Sequence, residues 1–282
     1  MPPDEPVQPP APIEPLVPPE GFAGAAGALG VEFDPGDTER LGRFLALLLH
    51  ANETTNLTAI TDPTQAWTKH ILDALSLVPV LASLQGEASA KARNDADERT
   101  AAPTAAGAPA VAHPLSVVDI GSGGGVPAIP LAIVMPDVRF TMVESTGKKV
   151  AFLRRAIRDL GLGNARVLQT RAEVIGQEHK VHRERYDAAI ARALGHLAIV
   201  AELCGPLVRP HGIVIAVKGA KAEAELAETA RALGLIGLRH VQTSETPTGR
   251  LVILEKTTRT PRLYPRKDGE PARVPLGVAR ER

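Results

Sequence analysis

Hydrophobic residues recur every three to four positions in the first third of the chain, a period typical of amphipathic helices. In DTERLGRFLALLLH they form one apolar stripe of Leu41, Phe44, Leu45, Leu48 and Leu49. Asp37 precedes the stripe and is the predicted N-cap. Asp62-Pro63 is predicted to open a second helix. The inward-facing residues of that helix are Trp67, Ile71, Leu72 and Leu75. Residues 37–84 are therefore predicted to form a helical subdomain.

From Leu115 onward, short apolar runs alternate with helical stretches. The predicted strands are SVVDIG, RFTMVES, ARVLQT, YDAAIARA, GIVIAVKG, LRHVQTSE and RLVILEKT. The clearest helix, GKKVAFLRRAIRDLG, places Val150, Leu153, Ile157 and Leu160 on one face and ends at Gly161. This alternation predicts an α/β domain over residues 115–258, with a parallel sheet covered on both faces. The last two strands are joined by ETPTG, which is too short for a crossover helix, so they should form an antiparallel hairpin at one edge.

The remaining segments lack the residues that build a core. Residues 1–36 are predicted to be a Pro-rich, disordered N-terminus, and residues 85–114 a disordered insertion or linker. Residues 259–282 form a basic tail in which arginine dominates. The formal net charge is zero, but local basic patches matter more to a polyanion than the total does, so a nucleic-acid partner stays open.

Composition excludes several classes of protein. The 282 residues hold one cysteine, Cys204, so there is no internal disulfide framework and no cysteine-rich zinc site, and no metal is expected. No uncharged apolar run approaches the roughly 20 residues of a membrane span. The N-terminus has neither the basic flank nor the apolar stretch of a signal peptide. A cytoplasmic protein without a membrane partner is the simplest interpretation.

The stretch VVDIGSGGGVPAIPLA carries the first chemical signal. Gly121 and Gly123 follow a predicted strand, where glycine permits a sharp turn and a close approach of backbone to a ligand. A dinucleotide fingerprint would place a third glycine at position 126, but that residue is Val126. The lysine and Ser/Thr of a P-loop are also missing. The turn therefore has no evident pyrophosphate to hold.

Two further signals lie at the ends of the next strands. Glu144 ends the second strand, where a carboxylate can accept hydrogen bonds from both ribose hydroxyls. Ala172-Glu173 follows the third strand, where it can border an adenine and offer a backbone contact. Asp119 adds negative charge just before the glycine turn, where a cation can sit. Together these features describe an adenosine without phosphates and with a positive centre, which indicates S-adenosylmethionine.

Several longer motifs resemble those of the RsmG (GidB) methyltransferases. They are NLTAITDP, KHILDALS, VVDIGSGGGVPAIPLAI, ESTGKKVAFLR, RAEVIG, AIARAL, AVKG and YPRKDGEPARVPL, between about Leu41 and Leu276. The resemblance implies a class I methyltransferase fold of seven strands and methyl transfer from S-adenosylmethionine to N7 of a guanine in 16S ribosomal RNA, with S-adenosylhomocysteine as product. The implied cofactor residues are Gly121, Ser122, Gly123, Val126, Glu144, Ser145, Thr146, Ala172, Glu173 and Arg192. Arg192 is also the implied catalytic residue.

The residue inventory agrees with a ring-nitrogen target. Guanine N7 carries an in-plane lone pair and no proton, so its methylation needs orientation and no general base. Enzymes that methylate an exocyclic amine usually carry an Asn/Asp-Pro-Pro-aromatic motif after the fourth strand. This chain has AIARAL at that place. Enzymes that methylate a pyrimidine carbon usually use a cysteine nucleophile. The one cysteine here, Cys204, lies on the apolar side of a predicted helix and does not fit that role.

The expected partner is 16S rRNA or the small ribosomal subunit, bound by a monomer. Candidate phosphate contacts are Lys218, Arg262, Arg266, Lys267 and Arg273. Each of these assignments has an alternative that stays open. Lys218 can have a purely structural role, and the basic tail can be a disordered segment that only increases solubility. Two rival functions also stay open: a methyltransferase for a small molecule and a non-catalytic rRNA-binding assembly factor. An NAD(P) oxidoreductase is disfavoured by Val126.

Overall fold

A computed structural model describes residues 13–87 and 114–278. The predictions of disorder for residues 1–12 and 88–113 fall outside these ranges. The described part is built on a seven-stranded sheet, to which an N-terminal helical subdomain is packed through a shared apolar core.

The sheet has the strand order β3-β2-β1-β4-β5-β7-β6. Its strands are β1 (Ser116–Ile120), β2 (Arg139–Glu144), β3 (Ala165–Gln169), β4 (Tyr186–Arg192), β5 (Val208–Lys218), β6 (Leu238–Glu245) and β7 (Arg250–Lys256). The first five are parallel, whereas β7 runs antiparallel to both β5 and β6. The expected α/β architecture with a terminal hairpin is thus confirmed. The chain order reverses at β1 and β4, where ligands of open α/β sheets bind at the carboxyl edge.

Helices cover both faces of the sheet. They are α6 (Ala128–Val134), α7 (Gly147–Asp159), α8 (Ala172–Gly176), α9 (Leu197–Cys204), α10 (Ala222–Ile236) and α11 (Glu270–Arg273). The predicted helix after β2 is α7, which buries Val150, Leu153 and Leu160 and is followed by Gly161 in the left-handed conformation, φ +65°. A residue with a Cβ is rarely stable there, so glycine ends the helix where the sequence indicated.

The N-terminal subdomain contains α1 (Phe22–Ala28), α2 (Asp37–Asn52) and α3 (Pro63–Ala66). A π-helical turn (Trp67–Leu72) and α4 (Asp73–Leu75) continue α3, and residues 78–87 form α5. Residues 85–87 are therefore helical, which corrects the predicted start of the disordered insertion at residue 85. The Asp62 carboxylate caps α3 by accepting from the Gln65 amide at 2.7 Å, as predicted. Asp37 does not cap α2, because Gly36 occupies that position and Asp37 is the first helical residue. Its buried carboxylate instead accepts from the Asp34 amide and pairs with Arg40 at 2.6 Å.

Residues 13–36 pack against the helical subdomain. The prediction that disorder extends to residue 36 was therefore wrong for this part of the segment. The chain crosses α2 at Gly42, whose carbonyl accepts from the Leu16 amide at 3.1 Å, and a Cβ at position 42 would collide with Leu16. Phe22 in α1 is buried and packs edge-on against Trp67, with ring centroids 4.6 Å apart. Few aromatic residues occur in this segment, but one well-placed ring fastens it to the core.

The basic tail is also packed over residues 259–278, in contrast to the alternative of a disordered tail. The Arg183 guanidinium is buried and donates to four carbonyl oxygens, those of Gly176, Thr260, Pro261 and Tyr264, at 2.6–3.0 Å. Backbone carbonyls that lie away from water need such donors. One buried cation therefore ties the tail to α8.

Candidate cofactor site and its rim

The glycine turn after β1 adopts a backbone that requires glycine. Gly121 and Gly123 have φ of +72° and +51°, and a Cβ at Gly121 would lie 2.8 Å from Leu194 Cδ1. Gly124 faces the N-terminal subdomain, where a Cβ would lie 2.8 Å from Leu48 Cδ1. Neighbouring side chains on both sides of the turn therefore leave no space for a Cβ atom. The backbone amides of the turn lie at the carboxyl edge of the sheet.

Glu144 at the end of β2 is oriented by two backbone amides. One carboxylate oxygen accepts from the Gly123 amide at 3.0 Å and the other from the Thr146 amide at 2.7 Å. The side chain is 7% exposed. Each carboxylate oxygen has a second lone pair, so the fixed carboxylate can still accept from a pair of neighbouring hydroxyls.

Asp119 lies one residue before the end of β1 and is almost fully buried. Burial raises the pKa of its carboxyl group to about 7, and Glu144 adds to the rise, while Ser122 and Arg192 oppose it. Its Oδ2 atom has no hydrogen-bond partner among the described residues. A buried carboxyl oxygen without a partner fits a positively charged ligand group.

The other residues expected at the cofactor surround this pair. Ser122 is buried and its hydroxyl donates to the Asp119 carbonyl at 3.0 Å. Ser145 and Thr146 are exposed between β2 and α7, and Val126 is half-buried after the glycine turn. All of them thus lie at the carboxyl edges of β1 and β2.

Ala172 and Glu173 form the buried start of α8, next to the edge of β3. The Glu173 carboxylate accepts from the Gly269 amide at 2.9 Å, so this side chain binds the tail. Arg171 pairs with Asp268 at 2.8 Å on the same side. The backbone of the two residues is at the position expected for an adenine contact, and the Glu173 side chain has a structural role.

Arg192 ends β4 and is held by the N-terminal subdomain. Its guanidinium donates to the Lys69 carbonyl at 2.6 Å and lies 3.4 Å from His70 Nδ1 and 3.6 Å from the Asp73 carboxylate. These three partners lie within and just after the π-helical turn, a rare geometry that is frequent at functional sites. The sequence predicts Arg192 as a site residue, but it does not predict the three residues that hold its guanidinium.

Asp73 connects Arg192 to the hairpin of β6 and β7. Its Oδ1 accepts from the hydroxyls of Thr246 and Thr248 at 2.8 and 2.6 Å, and the side chain is 2% exposed. The sequence signal was an aspartate among the apolar residues of the motif KHILDALS, because a buried carboxylate requires partners.

His70 both packs in the core and orients Arg192. The ring is buried, and burial together with the Arg192 charge lowers its pKa to about 4. The imidazole is therefore neutral at pH 7. Its Nδ1 accepts from Arg192, and its Nε2 hydrogen donates to the Thr58 hydroxyl at 2.8 Å.

Comparison with known proteins gives the family. Residues 37–88 and 98–253 match the family described as rRNA small subunit methyltransferase G, or GidB. The chain belongs to this family. A relative of the same description from Sorangium cellulosum (strain So ce56) is 44% identical over 266 residues, covering 94% of this chain and 99% of its own. One from Brevibacillus brevis (strain 47) is 34% identical over 267 residues, covering 91% and 98%.

Among solved structures, the antibiotic-resistance methyltransferase Kmr is similar over 52% of this chain and 89% of its own, with 18% identity and a TM-score of 0.42. The GidB assignment confirms the prediction from the motifs. The chain is an S-adenosylmethionine-dependent methyltransferase of the family that methylates guanine N7 in 16S rRNA.

For this GidB protein, the candidate RNA residues fall into two groups. Arg262, Lys267 and Arg273 have exposed side chains along the packed tail. Lys218 instead donates to the Gly195 carbonyl and pairs with Glu225, both at 2.6 Å, which supports the structural alternative.

Arg266 is also engaged within the protein. Its guanidinium forms a forked pair with the fully buried Glu202, at 2.8 and 2.6 Å, and donates to the Val274 carbonyl. The expectation that Arg266 contacts phosphate is therefore corrected, because its donors are used to fasten the tail to α9.

Cys204 is fully buried in α9, and burial raises the pKa of its thiol well above the ordinary value. A thiol in this state is a poor nucleophile.

Over residues 13–87 and 114–278, no group of three or more His, Cys, Asp or Glu is arranged to hold a metal ion. No helix in the same ranges is long and apolar enough to cross a membrane.

Proposed function

We propose that the carboxyl edges of β1, β2 and β3 bind S-adenosylmethionine and that Arg192 orients the target guanine of 16S rRNA. The observation that carries the proposal is the arrangement around the glycine turn. A backbone that only glycine accommodates lies between an oriented carboxylate, Glu144, and a buried, partly unpartnered one, Asp119. In this assignment Glu144 accepts the ribose hydroxyls and Asp119 faces the positive part of the cofactor.

When bound, S-adenosylmethionine supplies an electrophilic methyl group on a sulfonium. The in-plane lone pair of guanine N7 would accept that methyl group, with S-adenosylhomocysteine as the leaving group. Since N7 carries no proton, no residue is needed as a base. The protein contributes orientation, for which well-aligned reactants gain roughly 7–11 kcal/mol.

Arg192 has the geometry of an orienting group. A guanidinium carries five N–H donors. In Arg192, one donates to the Lys69 carbonyl and one to His70 Nδ1, and the N–H of Nε lies beside the Asp73 carboxylate, with Nε 3.6 Å from Oδ2. The other two remain for the substrate. We assign them to guanine O6, which would hold the base while leaving the N7 lone pair free.

Three further assignments belong to this proposal. The substrate is taken as rRNA within a small subunit or its assembly intermediate, and the tail residues Arg262, Lys267 and Arg273 as its phosphate contacts. The protein is taken as a monomer, because one chain supplies every residue assigned to the cofactor. It is taken as cytoplasmic, because its proposed substrate is ribosomal RNA.

The test is methyl transfer from labelled S-adenosylmethionine to small ribosomal subunits that lack the modification, followed by nucleoside analysis. The expected product is 7-methylguanosine in 16S rRNA. Arg192→Ala should lower kcat by about 100-fold, the range for loss of a group that acts in the transition state. Its affinity for the cofactor should change far less. Another methylated nucleoside, or full activity of the variant, would overturn the assignment.

A further inference from the structure

A second basic surface lies at the opposite edge of the sheet from the cofactor residues. An open cavity of about 720 Å³ is bordered by the first residues of β1 to β4, including Ser116, Arg139, Ala165 and Tyr186. The strands rise about 3.3 Å per residue, so the five residues of β1 separate this edge from the glycine turn by at least about 13 Å. The cavity is therefore distinct from the cofactor site.

Four guanidinium groups line this cavity. They come from different elements: Arg40 from α2, Arg139 from β2, Arg166 from β3 and Arg185 from the turn before β4. Asp137 is the single acid among the described lining residues. The lining therefore keeps an excess of positive charge even after Asp37 offsets Arg40, in a chain whose formal net charge is zero.

Two of these arginines are not used by the fold. Arg40 pairs with Asp37, and the Arg166 Nε donates to the Thr141 hydroxyl at 3.0 Å. Arg139 and Arg185 make neither an ion pair nor a side-chain hydrogen bond within residues 13–87 and 114–278, and both are exposed. Like charges held together repel each other, and an anion between them removes that cost.

We propose that this arginine-lined cavity is a second contact for the phosphate backbone of the rRNA substrate. The inference rests on the proposed function for the identity of the RNA. Arginine matches phosphate because its planar fork donates two parallel hydrogen bonds. The groups are spread around an open, exposed rim, an arrangement that suits an extended polyanion better than an enclosed small ligand. Contacts of this kind fix the orientation of the RNA without reading its sequence.

The experiment compares Arg139→Gln/Arg185→Gln with a control that removes the same charge elsewhere, Arg154→Gln/Arg231→Gln on α7 and α10. Both control residues are exposed and form no ion pair within the described ranges. KM for small subunits and the cofactor Kd are measured over a range of salt concentrations. The cavity variant should raise KM about tenfold and reduce the slope of log(1/KM) against log[salt] by about 1–2, since each phosphate contact contributes about 0.7–0.9. kcat and the cofactor Kd should stay unchanged, and the control should change KM by less than about twofold.

Equal values of KM and salt slope for the two variants would overturn the proposal. A free phosphate ligand is tested by calorimetry with inorganic phosphate and ADP, and binding that the cavity variant loses while its KM stays normal would also overturn it. Filter binding of 16S rRNA gives a readout independent of turnover. If wild-type protein binds rRNA through these arginines without methylating it, the proposed function fails and the inference stands.

Discussion

At the scale of single residues, two buried carboxylates at the ends of β1 and β2 differ in their environment. Glu144 accepts two backbone amides, whereas Asp119 has an oxygen without a described partner and a pKa raised to about 7. Titratable groups perturbed by burial within a cleft are candidates for function. In the proposed function, Glu144 faces the neutral, hydroxyl-bearing part of the cofactor and Asp119 faces its charged part.

The raised pKa of Asp119 predicts pH-dependent cofactor binding. In the free protein the carboxyl group is protonated below about pH 7, and a positive ligand favours the ionised form and lowers that pKa. Affinity for S-adenosylmethionine should therefore rise with pH up to about 7, by at most tenfold per unit, and level off above it. Calorimetric titrations from pH 5.5 to 8.5 measure this dependence.

Asp119→Asn provides the matched variant for that measurement, because the amide keeps the size of the side chain without its titration. Its cofactor affinity should be weaker at pH 8 and nearly independent of pH. The same pH dependence in both proteins would show that another group is responsible. In the wild-type protein without cofactor, the raised pKa also makes the fold less stable as pH rises from about 4 to 7, since the ionised form is disfavoured only in the folded state.

Gly121 predicts a second effect at this scale. Alanine at φ +72° costs about 1–2 kcal/mol, and its Cβ would lie 2.8 Å from Leu194 Cδ1. Gly121→Ala should weaken cofactor binding by about tenfold or more, measured by calorimetry. Gly24→Ala in α1 is the control, because a Cβ there meets nothing within 4 Å, and it should bind the cofactor normally. Normal binding by both variants would contradict the role of the turn.

At the scale of elements, the N-terminal subdomain contacts the candidate site directly. Its π-helical turn directs the Lys69 carbonyl and His70 toward Arg192, and Asp73 joins Arg192 to the β6–β7 turn. Three elements that are distant in sequence thus meet around the pair of Arg192 and Asp73. A buried network of this kind is stable only when every member is satisfied.

This network predicts that Asp73 is a positioning residue. Asp73→Asn keeps the side-chain volume but removes the charge beside the Arg192 guanidinium, 3.6 Å away. kcat should fall by about 10- to 100-fold with the cofactor Kd nearly unchanged, because a displaced orienting group affects mainly the transition state. Steady-state and binding measurements on the same protein separate the two constants.

Asp37→Asn is the control for general destabilisation. Asp37 has the same exposure as Asp73, 2%, and also pairs with an arginine, but it lies at the start of α2 away from Arg192. A similar loss of kcat in both variants would reduce the role of Asp73 to stability. Thr246→Val and Thr248→Val should reproduce a part of the Asp73→Asn effect, since each removes one hydrogen bond to its carboxylate.

The elements that the sequence predicted are those with a local signal. Periodicity alone predicted α2, α7 and the inward residues of the segment after Pro63, and the length of ETPTG predicted the hairpin. The π-helical turn was not predicted. The contacts of Arg192 were not predicted either, because they join it to residues far away in sequence, such as His70 at a separation of 122 positions. Such contacts depend on strand order, which the sequence pattern gives only coarsely.

At the scale of the whole molecule, the tail was predicted less well than the sheet. Its composition, rich in arginine and proline, resembles that of unpacked segments, and the partners that fasten it are far away in sequence. Arg183 lies 77–81 positions from its tail carbonyls, and Glu202 lies 64 positions from Arg266. Composition predicts whether a segment can build a core of its own, but not whether it can pack on another.

The docked tail predicts opposite phenotypes for two adjacent basic residues. Arg266→Ala would leave Glu202 buried without its partner, which costs about 3–5 kcal/mol of the free energy of unfolding. Lys267 is exposed and forms no ion pair within the described ranges, so Lys267→Ala should leave stability unchanged within about 0.5 kcal/mol. Urea denaturation of both variants measures this difference.

The effects of the two variants on RNA binding should be the reverse of their effects on stability. Lys267→Ala should weaken binding to small subunits by a few-fold and lower the salt slope by about 1, as for loss of one phosphate contact. Arg266→Ala, measured at low temperature where it remains folded, should keep the wild-type salt slope, because its guanidinium is not available to RNA. A lower slope for Arg266→Ala than for Lys267→Ala would mean that the tail leaves α9 when it binds RNA. The ion pair with Glu202 would then be a resting contact that the substrate displaces.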